Sequence, residues 1–82
     1  MEKKIEQLFR KGAEFYECAR HLHPRGCAAV MEECKPVVVE LLAANVSFDD
    51  VLARVEKVAG HPVDLGRDPF LTNIKQLFGN VI

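Results

Sequence analysis

A chain of 82 residues has room for one domain with one hydrophobic core, and this length is near the lower end of what folds unaided. Its 11 basic and 12 acidic residues nearly cancel, which argues against non-specific binding to nucleic acid or anionic lipid, because both depend on net positive charge. The beginning of the chain does not resemble a signal peptide and the three cysteines are an odd number, so we expect a cytoplasmic protein with reduced thiols.

The first helix is predicted from Glu2 to Leu22, because apolar residues recur along one arc of it at Ile5, Leu8, Phe9, Phe15, Tyr16, Ala19 and Leu22. Gly12 lies within that arc, although glycine costs roughly 1 kcal/mol relative to alanine inside a helix. Its position indicates either the close approach of another helix backbone or a tolerated defect. The stretch from His23 to Gly26 is predicted to be a turn that ends the helix.

The next segment, residues 27–45, is interrupted by Pro36. Either one helix ends near Cys34 and another begins at Pro36, or a single helix kinks at the proline. The apolar residues that follow lie all the way round the helix, which predicts the central helix of the core or half of a dimer interface. The nearly apolar run ends at Asn45 and is too short to span a bilayer, so no membrane partner is expected.

The third helix has the clearest local signals. Ser47 and Asp50 form a capping box, and Val46 and Val51 have the spacing of a hydrophobic staple. Gly60 is predicted to end the helix. One apolar stripe is predicted to face the core, formed by Phe48, Val51, Leu52, Val55, Val58 and Ala59.

A loop is predicted from His61 to Arg67, and then Asp68 caps a last helix whose first residue is Pro69 and which ends about Phe78. Its inward residues are predicted to be Phe70, Leu71, Ile74, Leu77 and Phe78, and its outward residues Thr72, Asn73, Lys75 and Gln76. The tail, Val81 and Ile82, is predicted to pack back on the core. The fold class is therefore all-α, a small bundle of four to five helices forming a single domain over residues 1–82.

The run VVVELLAANVSFDDVLARV, residues 37–55, has an apolar helix, a tight turn and a serine-capped second helix in succession, and a third helix follows. Over Pro36–Phe78 the chain resembles small helix-turn-helix modules of bacterial regulators and plasmid-transfer accessory proteins. The resemblance implies a helix-turn-helix-like C-terminal half whose last helix enters a DNA major groove. The side chains suited to bases or phosphates there are Arg67, Thr72, Asn73, Lys75 and Gln76.

Two features depart from that pattern. The connection from Gly60 to Asp68 is longer than the usual turn of three or four residues. In addition, Asp64 and Asp68 would repel DNA phosphates. Moreover, the outward residues of the last helix are types that are common on any solvated surface, so they do not by themselves indicate DNA binding.

A dense group of metal-ligating residue types surrounds the first turn, formed by Cys18, His21, His23, Cys27 and Cys34. Zinc prefers two close ligand pairs at characteristic spacing, and this spacing matches no familiar zinc motif. We therefore expect cysteines that pack in the core, with no metal and no cofactor. Catalysis by a Cys–His pair needs an accessible thiolate in a cleft, which so short a helical chain is not expected to provide, so no enzyme is predicted.

The remaining class is an interaction module. The segment Pro36–Ala44, Leu65 and the tail hold more apolar surface than a small core readily encloses, and the excess favours a homodimer or a protein partner. The sequence thus predicts a small non-enzymatic binding protein. A DNA-binding or regulatory accessory protein ranks slightly above a helical adaptor or inhibitor that acts through an apolar surface.

Overall fold

The computed structural model describes residues 2–22 and 24–80, and all of its regular secondary structure in these ranges is helical. The predicted all-α bundle is therefore confirmed. The predictions for His23 and for the tail at residues 81–82 lie outside the described residues. The helices are α1 (Glu2–Arg20), α2 (Pro24–Ala43), α3 (Phe48–Ala59) and α4 (Pro69–Asn80), with a short 3-10 helix at Leu65–Arg67 before α4.

The hairpin of α1 and α2 is the most extensively packed part of the bundle. Leu8 of α1 and Leu41 of α2 are buried in it, and Lys11 is 3.0 Å from Glu33 across its surface. The turn predicted from His23 to Gly26 is wrong from Pro24 onward, since α2 begins at that residue. A proline fits the first position of a helix because the N–H group there has no intrahelical acceptor.

The second helix continues through Pro36 without a break. This rules out two separate helices and leaves the single-helix interpretation. Val37 and Val38 are buried immediately after the proline, whereas Pro36 and Val39 are exposed. The helix therefore packs as a central core helix against α1 and α4, but its face that carries Val39 is not covered within the chain, and a dimer interface on that face stays a prediction.

The capping box of α3 is confirmed. The backbone N–H of Asp50 donates to the Ser47 hydroxyl, and the backbone N–H of Ser47 donates to Oδ2 of Asp50 at 2.9 Å. Gly60 ends the helix in the left-handed conformation, at φ 78°. The predicted core stripe is wrong in its last turn, because Val58 is 73% exposed and Ala59 is exposed too.

The start of α4 is also confirmed, as Oδ1 of Asp68 accepts the backbone N–H of Leu71 at 3.0 Å. Phe70, Leu71, Ile74 and Phe78 are buried as predicted, and Leu77 is half-buried. The helix continues to Asn80, two residues beyond the end predicted about Phe78. In the described ranges, no helix has both the length and the apolarity needed to cross a membrane.

Candidate functional site

An apolar groove of about 390 Å³ lies between α1 and α3, with the start of α4 as its floor. The backbones of the two wall helices approach each other less closely than α1 approaches α2 and α4. The walls include Phe9, Ala13 and Tyr16 of α1, and Val55 and Val58 of α3. The groove therefore lies where Val58 and Ala59, in the last turn of α3, are left exposed opposite α1.

The floor of the groove is set by Phe70, whose ring is buried. It packs at a centroid separation of 5.5 Å from Phe15 and 6.4 Å from Tyr16. Gly12 makes room for the ring on α1, so the group that approaches this glycine is an aromatic side chain of α4 and not a helix backbone. The aromatic cluster holds α1 and α4 together below the groove.

Asp68 is the one charged residue among those found to line the groove. Its Oδ1 atom accepts both the backbone N–H of Leu71 and the hydroxyl hydrogen of Tyr16. A carboxylate offers about four acceptor positions on its two oxygens, so Asp68 retains capacity for a further donor. Partial burial, followed by the hydrogen bond to Asp68, raises the pKa of Tyr16 well above its ordinary value.

The residues predicted to contact DNA differ in their surroundings. Lys75 and Gln76 are exposed on α4 and Asn73 is half-buried. The Arg67 side chain is 90% exposed, and its Nε atom lies 3.6 Å from Oδ2 of Asp64. These positions do not test DNA binding, so the role of these four residues in contacting DNA stays a prediction.

Thr72 does not point outward as predicted. It is half-buried, and its hydroxyl oxygen lies 2.6 Å from the carbonyl oxygen of Leu65 and 2.9 Å from that of Asp68. The single hydroxyl hydrogen is shared between these two acceptors. Thr72 thus ties the 3-10 helix to the first turn of α4, and this hydroxyl is already engaged within the protein.

The cysteines and histidines near the first turn do not all converge. Cys18 and Cys27 are half-buried neighbours against the core, while Cys34 is fully buried and desolvation raises its pKa to about 11. His21 is exposed and lies 3.0 Å from Oε1 of Glu17. Across residues 2–22 and 24–80, no three His, Cys, Asp or Glu side chains are grouped as a metal site.

The groove was not predicted from the sequence. Helical periodicity places Val55, Val58 and Ala59 on the apolar face of α3, but periodicity alone does not show whether another element covers that face. The long connection over residues 60–68 was the available signal, because it gives the chain room to leave the last turn of α3 uncovered, although Phe48 of α3 and Phe78 of α4 do pack together.

Comparison with models of known families, with curated proteins and with solved structures finds no match for this chain.

Proposed function

We propose that this chain is a non-enzymatic interaction module, an adaptor or inhibitor, whose groove receives an amphipathic helix of a partner protein. The observation that carries the proposal is the exposure of Val58 on an apolar wall of the groove. A large aliphatic side chain that is 73% exposed beside a concave apolar surface has the position expected of an interface residue.

The shape of the groove favours a helix as its occupant. Phe9, Ala13 and Tyr16 follow one another along α1 at intervals of four and three residues, and together they span about 10 Å, or two helical turns. Ala13 is exposed and small, so a second helix can approach closely at the centre of this wall. Helices that bind in such grooves present apolar anchors at the same spacing.

The charge of the groove favours a basic partner. Its lining includes the carboxylate of Asp68 and, among the described residues, no cationic side chain. A lysine or arginine at the end of the partner's apolar stripe would place a donor beside Asp68, which has acceptor capacity left. We therefore propose a partner helix whose apolar anchors are followed by a basic residue.

A display library of helical peptides tests the proposal against many partner sequences at once. Peptides are selected on the wild-type protein, and their affinities are then measured for Val58→Lys and for the matched control Val39→Lys. Val39 is also an exposed valine near the end of a helix, but it does not line the groove. We expect Val58→Lys to weaken binding at least about tenfold, roughly 1.4 kcal/mol, and Val39→Lys to leave it unchanged.

Asp68→Asn removes the charge of the groove and tests its contribution to binding. Asparagine caps a helix about as well as aspartate, so α4 should be preserved. The selected peptides should lose affinity several-fold when they carry the basic residue, and should be unaffected when that residue is replaced by glutamine. Selected peptides without apolar helical spacing, or with equal affinity for the two valine variants, would contradict the proposal.

Two other outcomes would replace the partner helix with a different occupant. If the wild-type protein sediments as a dimer that only Val58→Lys dissociates, a second copy of the chain fills the groove. If the protein shifts the mobility of DNA at low salt, and Arg67→Glu with Lys75→Glu abolishes the shift while Val58→Lys does not, the last helix is a DNA-binding element.

A further inference from the structure

One cysteine lies at the end of α1 and another at the beginning of α2, on either side of the turn that joins these helices. Cys18 is in the last turn of α1 and Cys27 in the first turn of α2. The Sγ atom of Cys27 is 3.8 Å from the carbonyl oxygen of Phe15, one helical turn before Cys18. Because Phe15 and Cys18 are one turn apart on the same face of α1, this contact places the thiol of Cys27 close to that of Cys18, and the proximity of Cys27 contributes to the raised pKa of Cys18.

We propose that Cys18 and Cys27 form a reversible disulfide by exchange with a small-molecule disulfide such as oxidised glutathione. The thiolate of one cysteine attacks a sulfur of oxidised glutathione, which gives a protein–glutathione disulfide and releases one glutathione thiolate. The thiolate of the other cysteine then attacks the protein-side sulfur and releases the second glutathione. Two protein thiols are oxidised and one glutathione disulfide is reduced; the two protons that the protein thiols lose are taken up, through the solvent, by the two released glutathione thiolates.

The positions of the three cysteines determine which pair reacts. Cys18 and Cys27 are each half-buried, so a small disulfide can reach them, while Cys34 has no exposed surface. The second exchange step is favoured because the resolving thiol is already beside the first, which gives it a high effective concentration. The odd number of cysteines excludes complete pairing but leaves this pair possible, with Cys34 as the remaining thiol. The proposal does not depend on the groove or on its occupant.

The test treats the folded, reduced protein with oxidised glutathione at mildly alkaline pH. Desolvation of the thiol, and then the neighbouring Cys27, raises the pKa of Cys18, so alkaline conditions supply more of its thiolate. We expect the intact protein to lose the mass of two hydrogen atoms, and peptide mapping to join Cys18 to Cys27. Closing this loop should raise Tm by at least about 5 °C, and dithiothreitol should reverse both changes.

Two single variants identify the intermediate. Cys18→Ser and Cys27→Ser should each retain one glutathione on the remaining partner cysteine and should not lose two hydrogens. A stable glutathione adduct on the wild-type protein, a disulfide between two molecules, or a link to Cys34 would each overturn the proposal. Mapping of the wild-type protein decides the outcome even if a serine variant fails to fold.

Discussion

The Cε2 atom of Phe70 lies 3.0 Å from the position that a β-carbon would occupy on Gly12. The ring of Phe70 therefore occupies the space that the side chain of any residue other than glycine would need at position 12. Because the ring is buried and packs on Phe15 as well, it has little freedom to move away. The glycine in the apolar arc of α1 is thus explained by a close approach, although the approaching group is a ring and not the predicted helix backbone.

Gly12→Ala tests this contact against helix propensity. Alanine is more favourable than glycine inside a helix by roughly 1 kcal/mol, but crowding a packed core typically costs about 1–3 kcal/mol. We therefore expect Gly12→Ala to lower the free energy of unfolding by about 1 kcal/mol. Gly79→Ala is the control, because nothing lies within 4 Å of its added β-carbon and α4 should gain up to about 0.5 kcal/mol. Urea titration measures both, and equal stabilisation by the two alanines would show that Phe70 does not restrict Gly12.

The ionisation of Tyr16 provides a second prediction. Because it is the single tyrosine and the chain has no tryptophan, absorbance near 295 nm reports its tyrosinate alone. In the unfolded chain this hydroxyl ionises near its ordinary pKa of 10.0, whereas burial and Asp68 raise the folded pKa. The folded state therefore keeps a proton that the unfolded state loses, and stability should fall as pH rises above about 10.

We expect tyrosinate absorbance to appear together with the loss of helical circular dichroism, and not before it. Tyr16→Phe should unfold with a weaker dependence on pH above 10, since the ionisable group has been removed. A titration at the ordinary pKa with unchanged circular dichroism would contradict the contact with Asp68.

The capping box of α3 predicts that the stability of the protein falls at acidic pH. Hydrogen bonds from the backbone N–H of Ser47, and then from its hydroxyl, lower the pKa of Asp50 below its ordinary value of 3.8. The stabilisation from the ionised carboxylate should be complete above that value and lost as pH falls through the lowered folded pKa. Asp50→Asn should therefore destabilise the protein at neutral pH, with a difference from wild type that shrinks near pH 3.

Asp49→Asn is the matched control, because Asp49 also lies in the first turn of α3 but takes no part in the capping box. Its effect at neutral pH should be the smaller of the two. If both substitutions had the same effect at every pH, the helix dipole alone would account for Asp50.

Local signals in the sequence were sufficient to place both ends of α3 and the start of α4. Ser47, Gly60 and Asp68 each act through hydrogen bonds or backbone conformation within a few residues, so their roles follow from the residue type and its neighbours. The groove depended instead on the path of the chain after Gly60, which decides whether α4 covers Val58. Sequence periodicity contains no information on that path, and the same limit applies to Thr72, whose hydroxyl is engaged by Leu65 of the 3-10 helix.

The continuity of α2 through Pro36 leads to the last prediction. A proline inside a helix removes one backbone hydrogen bond and crowds the preceding turn, at a cost of about 3 kcal/mol, while it also restricts the unfolded chain by up to about 1 kcal/mol. Pro36 is exposed, so its ring does not fill the core. We therefore expect Pro36→Ala to raise the free energy of unfolding by about 2 kcal/mol.

The control for this substitution is Pro69→Ala, at the first position of α4, where no intrahelical hydrogen bond can be restored. It should lower stability slightly, because the unfolded chain gains freedom while the folded state gains no hydrogen bond. Chemical denaturation of the two variants distinguishes the contributions. A loss of stability in Pro36→Ala would mean that the bundle needs the local distortion that proline imposes to seat Val37 and Val38 in the core.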